Sequence, residues 1–157
     1  SAPMYHSHFF FVKKPYWDYR FVQDLREVKE AAVLVHPIVP NPYTILTQVL
    51  EDANWFSVLD LKDTFFCILL LPESQDIFVF EWTDPDIHAA SQHTLTVLPQ
   101  GFRDSFQLFG NALAKGLREL LLSNGSLLQY VNDLLISSTI REDCDRNTVQ
   151  VLNVLGK

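Results

Sequence analysis

Cysteine is scarce, with only Cys67 and Cys144 in 157 residues. They stand 77 positions apart and form no Cys-x-x-Cys pair, which excludes a zinc knuckle and argues against a disulfide-stapled secreted scaffold. Long apolar runs are missing too. The longest, Phe65 to Leu71, has seven residues against the roughly 20 of a membrane-spanning helix. No charged-then-apolar leader opens the sequence, because Met4 to Val12 is aromatic and His-rich and runs into Lys13-Lys14. Internal repeats and low-complexity linkers are absent. These absences lead to the expectation of an intracellular, non-secreted domain with no membrane partner.

What is present suits a packed fold. Hydrophobic residues make up 48% and charged residues 20% of 18.1 kDa, so one domain with a real core is expected and wholesale disorder is not. Net charge is −7, which by itself argues against a nucleic-acid partner. The distribution of charge weakens that argument. Residues 1–30 carry five basic and four acidic side chains, and residues 31–99 set nine carboxylates against Lys62 alone. The acid is concentrated in the middle, as a solvated face or as a place that attracts cations.

Residues 1–15 read as an extended arm ending at Pro15. A short strand is expected over Tyr19 to Val22 and a helix over Asp24 to Ala32. Pro37, Pro40 and Pro42 then break regular structure, since each lacks a donor and biases its predecessor to extended geometry. Tyr43 to Leu50 has helical spacing. Strands are expected over Trp55 to Leu61, Asp76 to Trp82 and Gln92 to Val97. Asp104 to Leu122 is the longest helix candidate, with Asn124-Gly125 as its C-cap. Ser126 to Val131 and Leu134 to Ser138 then flank Asn132-Asp133, a two-residue hairpin signal. A last helix begins near Thr139 and still runs at Lys157. With too few strand–helix–strand crossovers for a doubly wound sheet, the expected class is α+β, an antiparallel sheet with helices on one face.

Two residues stand out chemically. Asp60 lies in the apolar run Val58-Leu59-Asp60-Leu61, where an unpaired buried carboxylate would be costly. It is a strand-end residue facing water, or it is paired, or it binds a cation. Asp133 follows Asn132 between two apolar strands, and the pair reads as a plain turn or as a partner for Asp60 in a divalent-metal site. Hard cations such as Mg²⁺ take oxygen ligands, often one or two carboxylates plus substrate phosphates. Spacing leaves these readings open.

Seven stretches in order, VKKP (12–15), DYRFVQDLREV (18–28), HPIVPNPY (36–43), VLDLKDTFFC (58–67), FEWTDPD (80–86), LPQGFRDS (98–105) and LLQYVNDLL (127–135), resemble the reverse transcriptases of murine-leukaemia-type gammaretroviruses and their endogenous relatives. The resemblance covers nearly everything from Lys13 onward. It implies a right-hand polymerase: one domain over 1–157, with partial fingers over about 1–50 and mainly palm over about 51–157, fingers elements interleaved, thumb absent. It implies RNA-directed DNA synthesis on an RNA or DNA template-primer with dNTPs and Mg²⁺ or Mn²⁺. Two Mg²⁺ ions roughly 3.5–4 Å apart would activate the primer 3′-OH and stabilise the leaving pyrophosphate.

Carried over by position, Asp60 matches the first metal-binding aspartate, and Asn132 and Asp133 match the two aspartates of the Tyr-x-Asp-Asp turn. Asp60 and Asp133 are thus the expected metal ligands. Phe65 matches the aromatic that lies against the sugar C2′ and blocks ribonucleotides, whose 2′-OH marks them. Lys14 and Arg20 match the cations that hold the triphosphate. Gln100 and Gly101 match the loop beside the nascent base pair, where glycine lets the backbone come close. Read alone, Phe65 would be an ordinary core residue and Lys14 and Arg20 solvated surface charges.

The departures point toward lost catalysis. Asn132 keeps the shape of aspartate without its charge. Losing one anionic ligand is expected to cost about 4 kcal/mol of transition-state stabilisation, roughly a thousandfold in rate. Phe106 stands where the family has proline at a helix start, His88 and Ser91 replace turn glycines, and Tyr16-Trp17 occupy a loop one residue shorter than usual. With no thumb to clamp the primer, the resemblance implies a diverged fingers–palm segment that is inactive alone. The rival expectations are a non-catalytic module that binds nucleic acid, full-length polymerase or a second copy, and a translated remnant without function.

Overall fold

A computed structural model describes residues 7–15, 19–31 and 41–156. The expectations for Tyr16-Trp17, Pro37, Pro40 and Lys157 lie outside the described residues. The first elements are β1 (Phe9–Lys13), β2 (Tyr19–Gln23), α1 (Arg26–Ala31), α2 (Pro42–Leu46) and β3 (Trp55–Asp60). After them come α3 (Pro72–Gln75), β4 (Phe80–Thr83), β5 (Ala90–His93) and α4 (Ser105–Leu117). A hairpin of β6 (Gly125–Tyr130) and β7 (Asp133–Ser138) leads to α5 (Arg141–Leu155). No helix among the described residues is long and apolar enough to cross a membrane. The elements divide into two compact units, Ser1–His36 with Phe65–Ser105, and Pro37–Thr64 with Phe106–Lys157.

In the first unit, β1 and β2 form an antiparallel ribbon where the sequence pattern suggests an arm. The pattern escapes period-2 analysis because Phe9, Phe10, Phe11 and Val12 are apolar on both faces. The ribbon is fastened to the start of β4, since Ser7 N and Oγ both donate to Val79 O and Gln23 Nε2 donates to Phe78 O at 3.1 Å. Phe9 and Phe21 stack on each other and pack on Phe80, and Phe9 also meets Trp82. Below, Leu25, Val28, Phe78, Leu98 and Phe102 make a buried cluster. This cluster corrects the expected strand over Asp76 to Trp82. Asp76–Phe78 is a 3-10 turn that swings Phe78 into the core, and the strand starts only at Phe80. His88 adopts φ 53°, left-handed geometry to which glycine is better suited.

The second unit is built on a three-stranded antiparallel sheet, order β3-β7-β6. Strand β7 is central, and its Leu134 and Ile136 are fully buried. Alternation along β7 gives the sheet two faces. On one, Ser57, Leu59, Ile136 and Ser138 lie toward α5, whose Cys144, Asn147 and Val151 are buried at helical spacing. Helix α4 buries Phe109, Leu113 and Leu117 by the same rule, and its Gly110 carbonyl accepts from Gln129 Nε2 at 3.0 Å. On the other face lie Val58, Asp60, Asp133, Leu135, Leu128 and Tyr130, all of them except Asp60 lining a small apolar cavity together with the short α2.

Two expectations need correction here. Helix α4 stops at Leu117, short of Leu122, so Asn124-Gly125 is no C-cap but the entry to β6. Asn124 takes φ 41° and donates to Asp143 at 3.0 Å. The last helix, expected to run to the end of the sequence, closes at Leu155 with Gly156 donating to Leu152 O.

Candidate active site

The site grows from strand register. Asp60 ends β3 and Asp133 begins β7, and the two are direct antiparallel partners. Direct partners share a face with Cβ atoms roughly 4.5–5.5 Å apart, so the two exposed carboxylates stand side by side. Tyr130 is opposite Asp133 on the other flank, which makes a row of Asp60, Asp133 and Tyr130 across the sheet end.

The turn differs from the expectation by one residue. Tyr130 pairs with Asp133, so the two-residue turn is Val131-Asn132, and Asp133 belongs to the strand. Val131 holds φ 55°, as the first central residue of a type II′ turn must, although glycine is the usual choice there. A β-branched residue in this region is strained. Gln129 supports it, donating through Nε2 to Val131 O at 3.2 Å as well as to Gly110 O.

Asn132 is tied to β3. Its Nδ2 donates to Asp60 Oδ1 at 3.0 Å and to Leu61 O at 3.3 Å, while Leu61 N donates back to Asn132 O at 3.1 Å. Both partners of Nδ2 are acceptors only, which fixes the orientation of the amide. The position expected to match a metal-facing aspartate therefore supplies an N–H to the neighbouring carboxylate. Asp60 and Asp133 offer the oxygen donors that suit one hard cation. Among the described residues no group of three or more His, Cys, Asp or Glu gathers, so these two carboxylates are the donors that the site offers a hard cation.

The remaining expected site residues belong to the first unit. Lys14 follows β1, and Arg20 lies exposed in β2 opposite Val12. Phe65 is in the 3-10 turn Thr64–Cys67, partly buried against the cluster around Leu98, as its core reading anticipates. Gly101 has φ 95° and open space where a Cβ would be, so its glycine answers a backbone requirement, with Gln100 half-buried beside it. Sequence reasoning missed three supporting groups, namely Tyr130, Gln129 and the Leu61 carbonyl. A two-residue turn set at Val131-Asn132 would have found Tyr130 opposite Asp133.

An antiparallel sheet that opposes one aspartate on an outer strand to another at the start of the central strand is the arrangement that the resemblance implies for a polymerase palm. The model of the reverse transcriptase (RNA-dependent DNA polymerase) family matches residues 12–157, and the chain belongs to that family. It is 49% identical over 148 residues to the Pol polyprotein of feline endogenous virus ECE1, covering 92% of this chain and 14% of that protein. Against the Gag-Pol polyprotein of baboon endogenous virus (strain M7) the identity is 47% over 149 residues, 93% of this chain and 9% of the relative. Among solved structures, the prototype foamy virus protease-reverse transcriptase superposes with a TM-score of 0.76 at 26% identity, covering 96% of this chain and 19% of that one. A foamy viral protease-reverse transcriptase in complex with double-stranded DNA gives 0.77 at 26% identity, covering 96% of this chain and 25% of that one. The chain thus spans a small part of the length of these relatives.

Proposed function

We propose that this chain is a fingers–palm stretch of an endogenous-type retroviral reverse transcriptase that, by itself, lacks nucleotidyl transfer. The observation that carries the reading is the Asn132 amide donating into Asp60. Asp60 and Asp133 would hold Mg²⁺ or Mn²⁺ through carboxylate oxygens, and the ion would supply charge neutralisation for the triphosphate and acidify the primer 3′-OH. Lys14 and Arg20 neutralise phosphate oxygens, Phe65 sets the sugar preference at C2′, and Gln100 with Gly101 lies beside the templated base. Asn132 places a neutral amide where the transition state calls for anionic oxygen, which removes about 4 kcal/mol, roughly a thousandfold, from the rate. The ligands are a template-primer and dNTP, in keeping with the double-stranded DNA held by the foamy viral neighbour.

Primer extension on a primed RNA template with Mg²⁺ or Mn²⁺ tests this directly. No extension is expected from the unmodified chain, and at most distributive single additions from Asn132→Asp. Robust synthesis by the unmodified chain overturns the reading.

A further inference from the structure

Strand β3 has β7 on one side and none of the described strands on the other. The Leu61 N–H donates to Asn132 O, so the ladder to β7 uses Leu61, Leu59, Ser57 and Trp55 in alternation. The N–H and C=O groups of Phe56, Val58 and Asp60 therefore point to the open side. Their side chains are open as well, with Phe56 52% and Val58 70% exposed. Native sheet edges are normally blunted by a lysine, a proline or a bulge. From Trp55 to Leu59, β3 has none of these.

The residues of the strand select the occupant. When two copies pair antiparallel, residues of one face must oppose residues of the same face, and edge-directed groups must meet edge-directed groups. A two-fold axis at Ser57 meets both conditions. It sets Phe56 opposite Val58 of the second copy, an aromatic against a β-branched side chain, twice by symmetry. An axis at Val58 would instead set Phe56 against Asp60. Continued past the strand ends, the Ser57 register brings Asn54 opposite Asp60 and the exposed Asp52 opposite the exposed Lys62. Only Glu51 meets a like charge, Asp63, at the outermost position, where solvent screens it. A parallel arrangement would put Asp60 on Asp60 and Lys62 on Lys62, so charge also chooses the direction. The same carboxylates disfavour a polyanion on this edge.

We propose that the free edge of β3 is a self-complementary interface, on which two copies of this chain pair antiparallel about Ser57 into one six-stranded sheet. Such pairing needs neither a cation nor a polynucleotide, and it stands whether or not the carboxylate site binds either.

Sedimentation equilibrium of the full chain at micromolar concentrations, with amide hydrogen exchange on the same samples, tests it. A plateau at twice 18.1 kDa is expected, because an isologous contact closes at two copies. As the dimer fills, the amides of Phe56 and Val58 are expected to slow by roughly 10-fold or more, whereas those of Ser57 and Leu59 are slow at every concentration because β7 holds them. Val58→Lys places a charge on the edge and empties no core position, and it is expected to weaken association by about 10-fold or more. Lys62→Glu is expected to weaken it by about fivefold, and Asp52→Lys added to that variant to restore it. The proposal is overturned by a monomer throughout, by a mass that grows past two copies without a plateau, by exchange at Phe56 and Val58 that ignores concentration, or by a folded Val58→Lys that still dimerises. Should Val58→Lys fail to fold, the exchange pattern of the unmodified chain and the Lys62→Glu, Asp52→Lys pair decide.

Discussion

At the scale of single residues, Asn132 answers a problem that its own neighbours create. Two carboxylates opposed across a strand pair repel each other, and the Asn132 amide relieves Asp60 by donating to it. Replacing Asn132 with aspartate removes that donor and adds a third negative charge facing Asp60 and the Leu61 carbonyl. The expected cost without metal is about 1–2 kcal/mol, which for a domain of this size lowers Tm by roughly 2–8 °C. Mn²⁺ is expected to recover much of that loss in Asn132→Asp and to shift the unmodified chain little. Calorimetry in EDTA and in Mn²⁺ checks both, and equal melts for the two proteins would refute the assigned role. The Asn132–Asp60 bond could not be read from the sequence. Sequence pattern put Asp60 in a strand and Asn132 at a turn, but which atom faces which depends on a register that only the folded hairpin sets.

At the scale of elements, the β6–β7 hairpin shows what sequence pattern does and does not reveal. Its strands were legible because apolar runs flank a polar pair, and the helix after it was legible from its spacing. The turn was misplaced by one residue because Asn and Asp have the better turn propensity, whereas the backbone ladder closes at Tyr130 and Asp133 and forces Val131 into left-handed geometry. Strand β2 was legible over Tyr19 to Val22, but β1 and its pairing were missed because apolar residues on both faces of Phe9 to Val12 leave no alternation to read.

The far end of the same hairpin rests on a network just as hidden. Asn147 is fully buried, donates to Ser123 O at 2.9 Å and Ser138 Oγ at 3.1 Å, and accepts from Ser123 N at 3.0 Å. Gly125 passes so close that an added Cβ would meet the Ser137 carbonyl at 2.6 Å and the Asn147 amide nitrogen at 2.7 Å. Backbone on one side and a fully bonded amide on the other leave no room to relax. Gly125→Ala is therefore expected to destabilise the fold by about 1–3 kcal/mol, read as a lower denaturant midpoint. An unchanged midpoint would show that the strand entry can shift.

At the scale of the molecule, net charge and surface pattern pull in opposite directions. A charge of −7 favours separate copies in solution. Against it, β3 and β6 are the outer strands of the palm sheet, each with one edge unpaired by the other described strands. Phe56 and Val58 are exposed on β3, and Val149 and Leu152 are exposed on α5, three residues apart and so on one side of the helix. Neighbouring apolar side chains beside an open strand edge drive association, and the like charges that oppose it are screened beyond about 8–10 Å at ordinary ionic strength. The isolated chain is expected to self-associate at micromolar concentration. Size-exclusion with light scattering reads the mass, and a Val149→Glu, Leu152→Glu double variant is expected to move it toward 18.1 kDa. If the unmodified chain already elutes as an 18.1 kDa monomer with a cooperative melt, these faces are too small or too well hydrated to act as contacts, and charge governs the behaviour of the whole.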